Sequence, residues 1–194
     1  MEQSTKTAFL VMDMQLALLS HLPDHSALVA NVKKAIAKAR DYKMPVIYVV
    51  VGFRPGAPEV GLGNKSFSNF IKKEQWNAEF ASQFLNTHPD LAPQAEDIIV
   101  VKRRVSAFTG SDLEVILRAQ DIRHLVMTGI ATSGVVLSTL REAADKDYKL
   151  TVIEDCCADT DEEVHRLLMD KIFIRQAEVL ELQSWLAYYL RHDG

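Results

Sequence analysis

The chain has 194 residues, 48% of them hydrophobic and 25% charged, with a formal net charge of -4 at pH 7. That length suits a single medium domain spanning residues 1–194, and with this mild acidity nothing suggests an electrostatic nucleic-acid binder. No apolar run reaches membrane-spanning length, and Met1-Glu-Gln-Ser-Thr-Lys6 lacks the layout of a secretory signal, so a cytoplasmic protein is expected.

In chain order, Ala8-Phe-Leu-Val-Met12 is an apolar run of buried-strand type that ends in Asp13. Ser26 to Arg40 places Val29, Val32, Ile36 and Ala39 at helical spacing, with Lys33, Lys34 and Lys38 on the other face. Pro45 to Val51 reads as the second strand. Glycine and proline at Gly52, Pro55, Gly56, Pro58, Gly61 and Gly63 then break regular structure until about Asn64. A short helix holding Trp76, Phe80 and Phe84 is expected between Ser66 and Leu85, and Asn64-Lys-Ser-Phe67 reads either as a lid or as a plain surface loop.

Asp97 to Val101 is the third strand, running into Lys102-Arg-Arg104, and Ser111 is placed to cap the helix of Leu113, Ile116 and Leu117. Leu125-Val-Met127 is a fourth strand, after which Val136, Leu140 and Ala143 take helical spacing. Thr132-Ser-Gly134 offers a capping hydroxyl and a small residue at that junction. Leu150 to Ile153, a helix around Glu162 to Lys171, a strand near Ala177 to Leu182 and a helix from Trp185 to Leu190 complete the chain. Buried strands alternating with helices predict an α/β fold: one doubly wound domain, a mostly parallel six-stranded sheet with helices on both faces.

In such a sheet ligands bind beyond the carboxyl ends of the strands. Asp13, Lys102 and the Gly129-to-Gly134 turn all fall there, and a carboxylate beside an ammonium can serve as an acid/base pair. Equally, a strand-end Asp can be a helix cap and a strand-end Lys can be solvated. The two cysteines, Cys156 and Cys157, are adjacent and too few for a structural zinc site. They read as reduced thiols just beyond a strand. No Gly-x-Gly-x-x-Gly follows the first strand, which argues against a dinucleotide-binding protein.

Three motifs carry a resemblance: Leu10-Val-Met-Asp-Met-Gln15, Val101-Lys-Arg-Arg-Val-Ser-Ala-Phe108, and Thr128-Gly-Ile-Ala-Thr-Ser-Gly-Val-Val-Leu-Ser-Thr139 with Arg141-Glu-Ala143 behind it. Together they resemble the isochorismatase-like cysteine hydrolases, over nearly the whole chain. The resemblance implies an Asp/Lys pair at Asp13 and Lys102 and a non-proline cis peptide at Ile130-Ala131. It also implies a helix-start position, Val135, where those hydrolases carry the nucleophilic Cys. A valine cannot attack a carbonyl. Isochorismatases proper also lack that Cys, and they cleave a vinyl ether with an acid alone.

The expectation is therefore a hydrolase of a small anionic organic substrate, working by Asp13 and Lys102 without a thiol. The alternative is a non-catalytic member that binds a metabolite or a protein. Backbone N–H groups of the Ile130-to-Val135 turn, with Ile130, Ala131, Ser133 and Gly134 among them, would cradle an oxyanion or carboxylate. Arg54 is a candidate for a substrate carboxylate or a solvated loop arginine, and Phe108 a candidate pocket wall or a core residue. The loop after the second strand has no His, so no catalytic metal and no cofactor is expected. Trp185, Leu186, Tyr188, Tyr189 and Leu190 give the last helix an apolar surface, which together with the resemblance suggests a homo-oligomer, at least a dimer; that helix could instead close the core.

Overall fold

The computed structural model describes the chain from residue 6 to residue 190, and its side chains to residue 187. In chain order the elements are β1 (Thr7–Met12), α1 (Leu16–Leu19), α2 (Ser26–Asp41), β2 (Val46–Val51), α3 (Lys65–Phe70), α4 (Ala78–Phe84), β3 (Ile98–Lys102), α5 (Leu113–Ala119), β4 (His124–Ile130), α6 (Leu137–Asp145), β5 (Lys149–Ala158), α7 (Glu162–Leu167), β6 (Glu178–Leu180) and α8 (Leu182–Leu190). The six strands form one sheet in the order β3-β2-β1-β4-β5-β6, and every pairing is parallel. Parallel pairing needs a crossover between strands, and the helices supply the cover.

Burial divides along the two faces. One core joins Leu10, Met12, Ile47, Val49, Val100, Met127, Leu140 and Phe173; the other joins Phe9, Val11, Tyr48, Val126, Ile153 and the apolar stripe of α2. Successive residues of a strand point to opposite faces, which is why neighbours such as Phe9 and Leu10 belong to different cores. β1, β2 and β4 lie inside the sheet, so both of their faces are buried and their sequences are continuous apolar runs.

Several local expectations are corrected. Asn64-Lys-Ser-Phe67 is not a plain loop: the Asn64 side chain accepts a hydrogen bond from the Phe67 amide and opens α3. Trp76 lies outside a helix. It stands just ahead of α4, packed on Phe53, Phe80 and Phe84. The loop after β2 is well packed, burying Phe53, Ala57 and Val60 with Trp76. Cys156 and Cys157 sit within β5, not beyond it, one in each core, so their side chains point apart. Trp185 and Leu182 of α8 are buried, with the Trp185 ring centroid 5.7 Å from that of Phe9, so this part of α8 closes the core. The side chains of Tyr188, Tyr189 and Leu190 lie outside the described residues.

Candidate active site

The parallel register brings three strand ends to one edge of the sheet. Met12 is level with Gly129 and with Val49, and Val51 with Lys102. Just past Met12 the chain turns sharply: Asp13 has φ 56°, a left-handed conformation that Asp tolerates better than most residues. Its amide donates to the Val49 carbonyl at 2.8 Å, which holds the turn against β2.

Asp13 Oδ2 and Lys102 Nζ are 2.9 Å apart, and both side chains are almost wholly buried. The ammonium also donates to the carbonyls of Arg104 and Val105, each at 3.0 Å, so three acceptors use the three N–H groups of Lys102. Asp13 Oδ1 has no hydrogen-bond partner among the described residues. Burial pushes the Asp13 carboxyl above its usual range, opposed by the neighbouring Lys102 charge. A carboxyl of this kind can hold a proton and release it at a paired site.

Gln15, two residues on, is fully buried and clamps the adjoining chain. Its amide nitrogen donates to the carbonyls of Val51 (3.0 Å) and Phe84, and its oxygen accepts from the Val51 amide at 2.8 Å. One side chain thus fastens the ends of β1 and β2 to α4. In the sequence it stands as the last residue of the first motif, with no neighbour that reveals this clamp.

On the far side of β1, Gly129 has φ 132°, and a Cβ there would lie 2.0 Å from the Met12 carbonyl oxygen. Only glycine lets β4 approach β1 so closely while turning away. The Ile130-Ala131 peptide is cis. Thr132 to Val136 then form a wide helical turn, followed directly by α6.

The capping of this turn differs from the expectation. Thr132 shares a 2.7 Å hydrogen bond with His165 Nδ1, and the Ser133 amide donates to Asp159 Oδ2 at 2.7 Å. These partners therefore come from the loop after β5, which holds Asp159, and from α7, which holds His165. The Gly134 amide donates to the Ala131 carbonyl. Ser133 and Gly134 are accordingly removed from the expected cradle, and the amides of Ala131, Thr132 and Val135 are those left to consider. Val135 is buried in the same core as Met12, while the Ile130 side chain packs in the opposite one, against the α2 side.

Two further candidates are placed elsewhere. The Arg54 guanidinium is exposed and pairs with Glu59 at 2.6 Å, and Glu59 also faces Arg103 at 3.5 Å. Its carboxylate keeps Arg54 on the loop, because the opposite charge lies five residues away. Phe108 is a core residue: its ring centroid lies 6.0 Å from that of Tyr148, the residue just before β5 starts. That is the opposite edge of the sheet from Asp13. The thiols of Cys156 and Cys157 are both pushed up by burial, Cys157 to about 12, so neither is an activated nucleophile.

Residues 7–184 match the Isochorismatase domain family. The chain is similar to the ureidoacrylate amidohydrolase RutB of Variovorax paradoxus (strain S110), with 34% identity over 172 residues, covering 78% of this chain and 68% of that protein. It is similar to the Caulobacter vibrioides protein of the same name, with 36% identity over 202 residues, 94% of this chain and 86% of that one. Among solved structures, an isochorismatase family protein from Burkholderia thailandensis superposes with TM-score 0.82 at 26% identity, covering 95% of this chain and 96% of that one. A cysteine hydrolase from Pseudomonas syringae pv. phaseolicola 1448A superposes with TM-score 0.86 at 22% identity, over 98% and 99% of the two chains, a likeness of fold.

Proposed function

The chain belongs to the isochorismatase family of hydrolases, and from that premise we propose that it hydrolyses a small anionic organic substrate by acid/base chemistry at Asp13, without a cysteine nucleophile. The observation that carries the reading is the buried Asp13–Lys102 pair at the carboxyl edge of the sheet, with one carboxyl oxygen unpartnered among the described residues. A carboxyl raised by burial can protonate a substrate atom, and Lys102 then stabilises the carboxylate left behind. The same carboxylate can take a proton from water in the return step. The amides of Ala131, Thr132 and Val135 are the candidate donors for charge that develops on a substrate oxygen.

Val135 is assigned to the position at which cysteine hydrolases of the family carry their nucleophile. An isopropyl group there cannot attack a substrate, so this reading gives the nucleophile's role to water. The relatives named ureidoacrylate amidohydrolase favour a small carboxylate as the substrate. The protein is taken to act in the cytosol as at least a dimer, which light scattering at micromolar concentration checks.

A metabolite-library screen with the Asp13→Asn variant as control tests the proposal. Turnover of a small carboxylate by the wild type and its loss in the variant supports it; undiminished turnover in the variant overturns it. The second reading, a metabolite-binding member without catalysis, is favoured by Val135. It predicts binding that survives Asp13→Asn with altered affinity and no turnover in either protein.

A further inference from the structure

The loop that follows β3 is held from two sides. On one side Lys102 Nζ donates to the carbonyls of Arg104 and Val105, each at 3.0 Å, besides its 2.9 Å contact with Asp13 Oδ2. Two of the three acceptors that fix this ammonium therefore belong to the loop, and the ammonium follows wherever the loop goes. On the other side the loop is fastened to α6. The Ser106 hydroxyl, itself buried, donates to Glu142 Oε2 at 2.6 Å, and the Thr109 hydroxyl donates to the same oxygen at 3.2 Å. The Ala107 amide donates to Thr139 Oγ1 at 2.9 Å, and the Phe108 amide to Ser106 Oγ at 3.2 Å.

Thr139 and Glu142 share one face of α6, being a helical i, i+3 pair. α6 follows directly on the turn of Thr132 to Val136, so one helix carries the candidate amide donors at its start and grips the Lys102 loop further along. The Glu142 carboxylate has its close contacts with the loop. Lys146 stands 3.9 Å from it and is committed to Glu114 at 2.7 Å, whereas the two hydroxyls give Glu142 charge-assisted hydrogen bonds.

We propose that Glu142 is a positioning residue of this site: through Ser106 it fixes the loop whose carbonyls aim the Lys102 ammonium at Asp13. The role rests on the reading of Asp13 and Lys102 as the acid/base pair. When the grip is lost, the loop drifts and takes Nζ with it. The Asp13 carboxyl then loses part of the opposite charge that counters its burial.

The aspartate carboxyl carbons, followed by 13C NMR across pH, test this, with the Asp13 signal assigned as the one missing from Asp13→Asn. Glu142→Leu should raise the midpoint of the Asp13 titration by about one pH unit, part of the roughly 1–3 units that a close cation supplies. Ser106→Ala should do the same, and combining the two should add little, because both break one link. Ser106→Ala is the smaller change and carries the test alone where Glu142→Leu does not fold. Glu142→Gln keeps an acceptor for the hydroxyls without the charge, so it should leave the midpoint near the wild-type value. Urea unfolding of each variant accompanies the titrations. Lower stability with an unmoved Asp13 midpoint in Ser106→Ala would make the link merely structural and overturns the proposal. So does an equal shift in Glu142→Gln, which would mean a charge effect and not positioning. No substrate enters these titrations, so they are read whether or not Asp13→Asn abolishes turnover, and failure of the catalytic reading stays distinct from failure of this one.

Discussion

Replacing Lys102 by Met tests the buried pair most directly, because it removes a charge while keeping a long apolar stem. Breaking a buried ion pair by deleting one partner costs roughly 3–5 kcal/mol. Here the loss also strips the Arg104 and Val105 carbonyls of their common donor. The pH dependence of the deficit follows from Asp13. Its folded pKa is raised above 3.8, so its contribution to stability is fully present below 3.8 and is lost as pH rises through the folded value. Lys102 opposes that rise, and without it the folded value climbs further.

The deficit of Lys102→Met is therefore small in acid, where the carboxyl is neutral in both states. It grows by about 1.4 kcal/mol per pH unit up to the new folded pKa and is flat beyond it. A plateau of roughly 3–5 kcal/mol corresponds to about 2–4 units of further rise. Urea unfolding followed by fluorescence of the two tryptophans, Trp76 and Trp185, measures it across pH. Adding Asp13→Asn to Lys102→Met makes the pair neutral and should restore most of the lost stability while activity remains absent. A deficit that does not vary with pH, or one below about 1 kcal/mol at neutral pH, would refute the assignment of a mutually dependent buried pair.

Three further outcomes are expected. His124, buried between Thr7 and Thr151, has its pKa lowered from 6.5 to about 4 chiefly by burial, so its stabilising contribution is complete above 6.5 and lost as pH falls toward 4. Relative to His124→Gln, the wild type should lose about 2 kcal/mol between about pH 7.5 and about pH 5; parallel stability curves would refute this. Gly129→Ala forces a Cβ against the Met12 carbonyl at positive φ and should cost about 4 kcal/mol or more, read by denaturation or soluble yield, and near-native stability would count against it. Val135→Cys should yield a thiol with a depressed pKa, favoured by Lys102 and the helix start, that iodoacetamide labels faster than Cys156 or Cys157. Mass-mapped labelling across pH that finds an ordinary or unreactive thiol removes support for Val135 at the nucleophile position.

The interior strands were legible because burial on both faces leaves no room for polar residues: β1, β2 and β4 lie close to the apolar runs that announce them. β5 overran its apolar run for a reason local sequence does not display. Glu154 and Asp155 read as the start of a loop, yet the strand continues to Ala158. Asp155 is tolerated there because its carboxylate accepts from the Leu182 amide at 2.6 Å, opening α8, and from Asn31 of α2 at 3.2 Å. The pairing with β4 also shifts register between Met127 and Gly129, where Gly129 turns away. Each of these partners is distant in sequence, so no window around residue 155 contains the cause.

The same distinction separates the legible part of the site from the rest. Asp13 and Lys102 could be singled out because a parallel sheet must bring its carboxyl ends to one edge, and topology alone makes far residues neighbours. Topology does not say which backbone amides at that edge are free. The Ser133 amide looked available because nothing near it in sequence accepts a hydrogen bond, but Asp159, twenty-six residues on, does. Arg54, a candidate for a substrate carboxylate or a solvated loop arginine, is held by Glu59, and Gln15, the end of the first motif, joins β1, β2 and α4. In each case a third side chain decides whether a polar group is spent or available. Which polar groups this edge leaves free is therefore decided by Asp159, Glu59 and Gln15, each placed there by the fold and not by its neighbours in sequence.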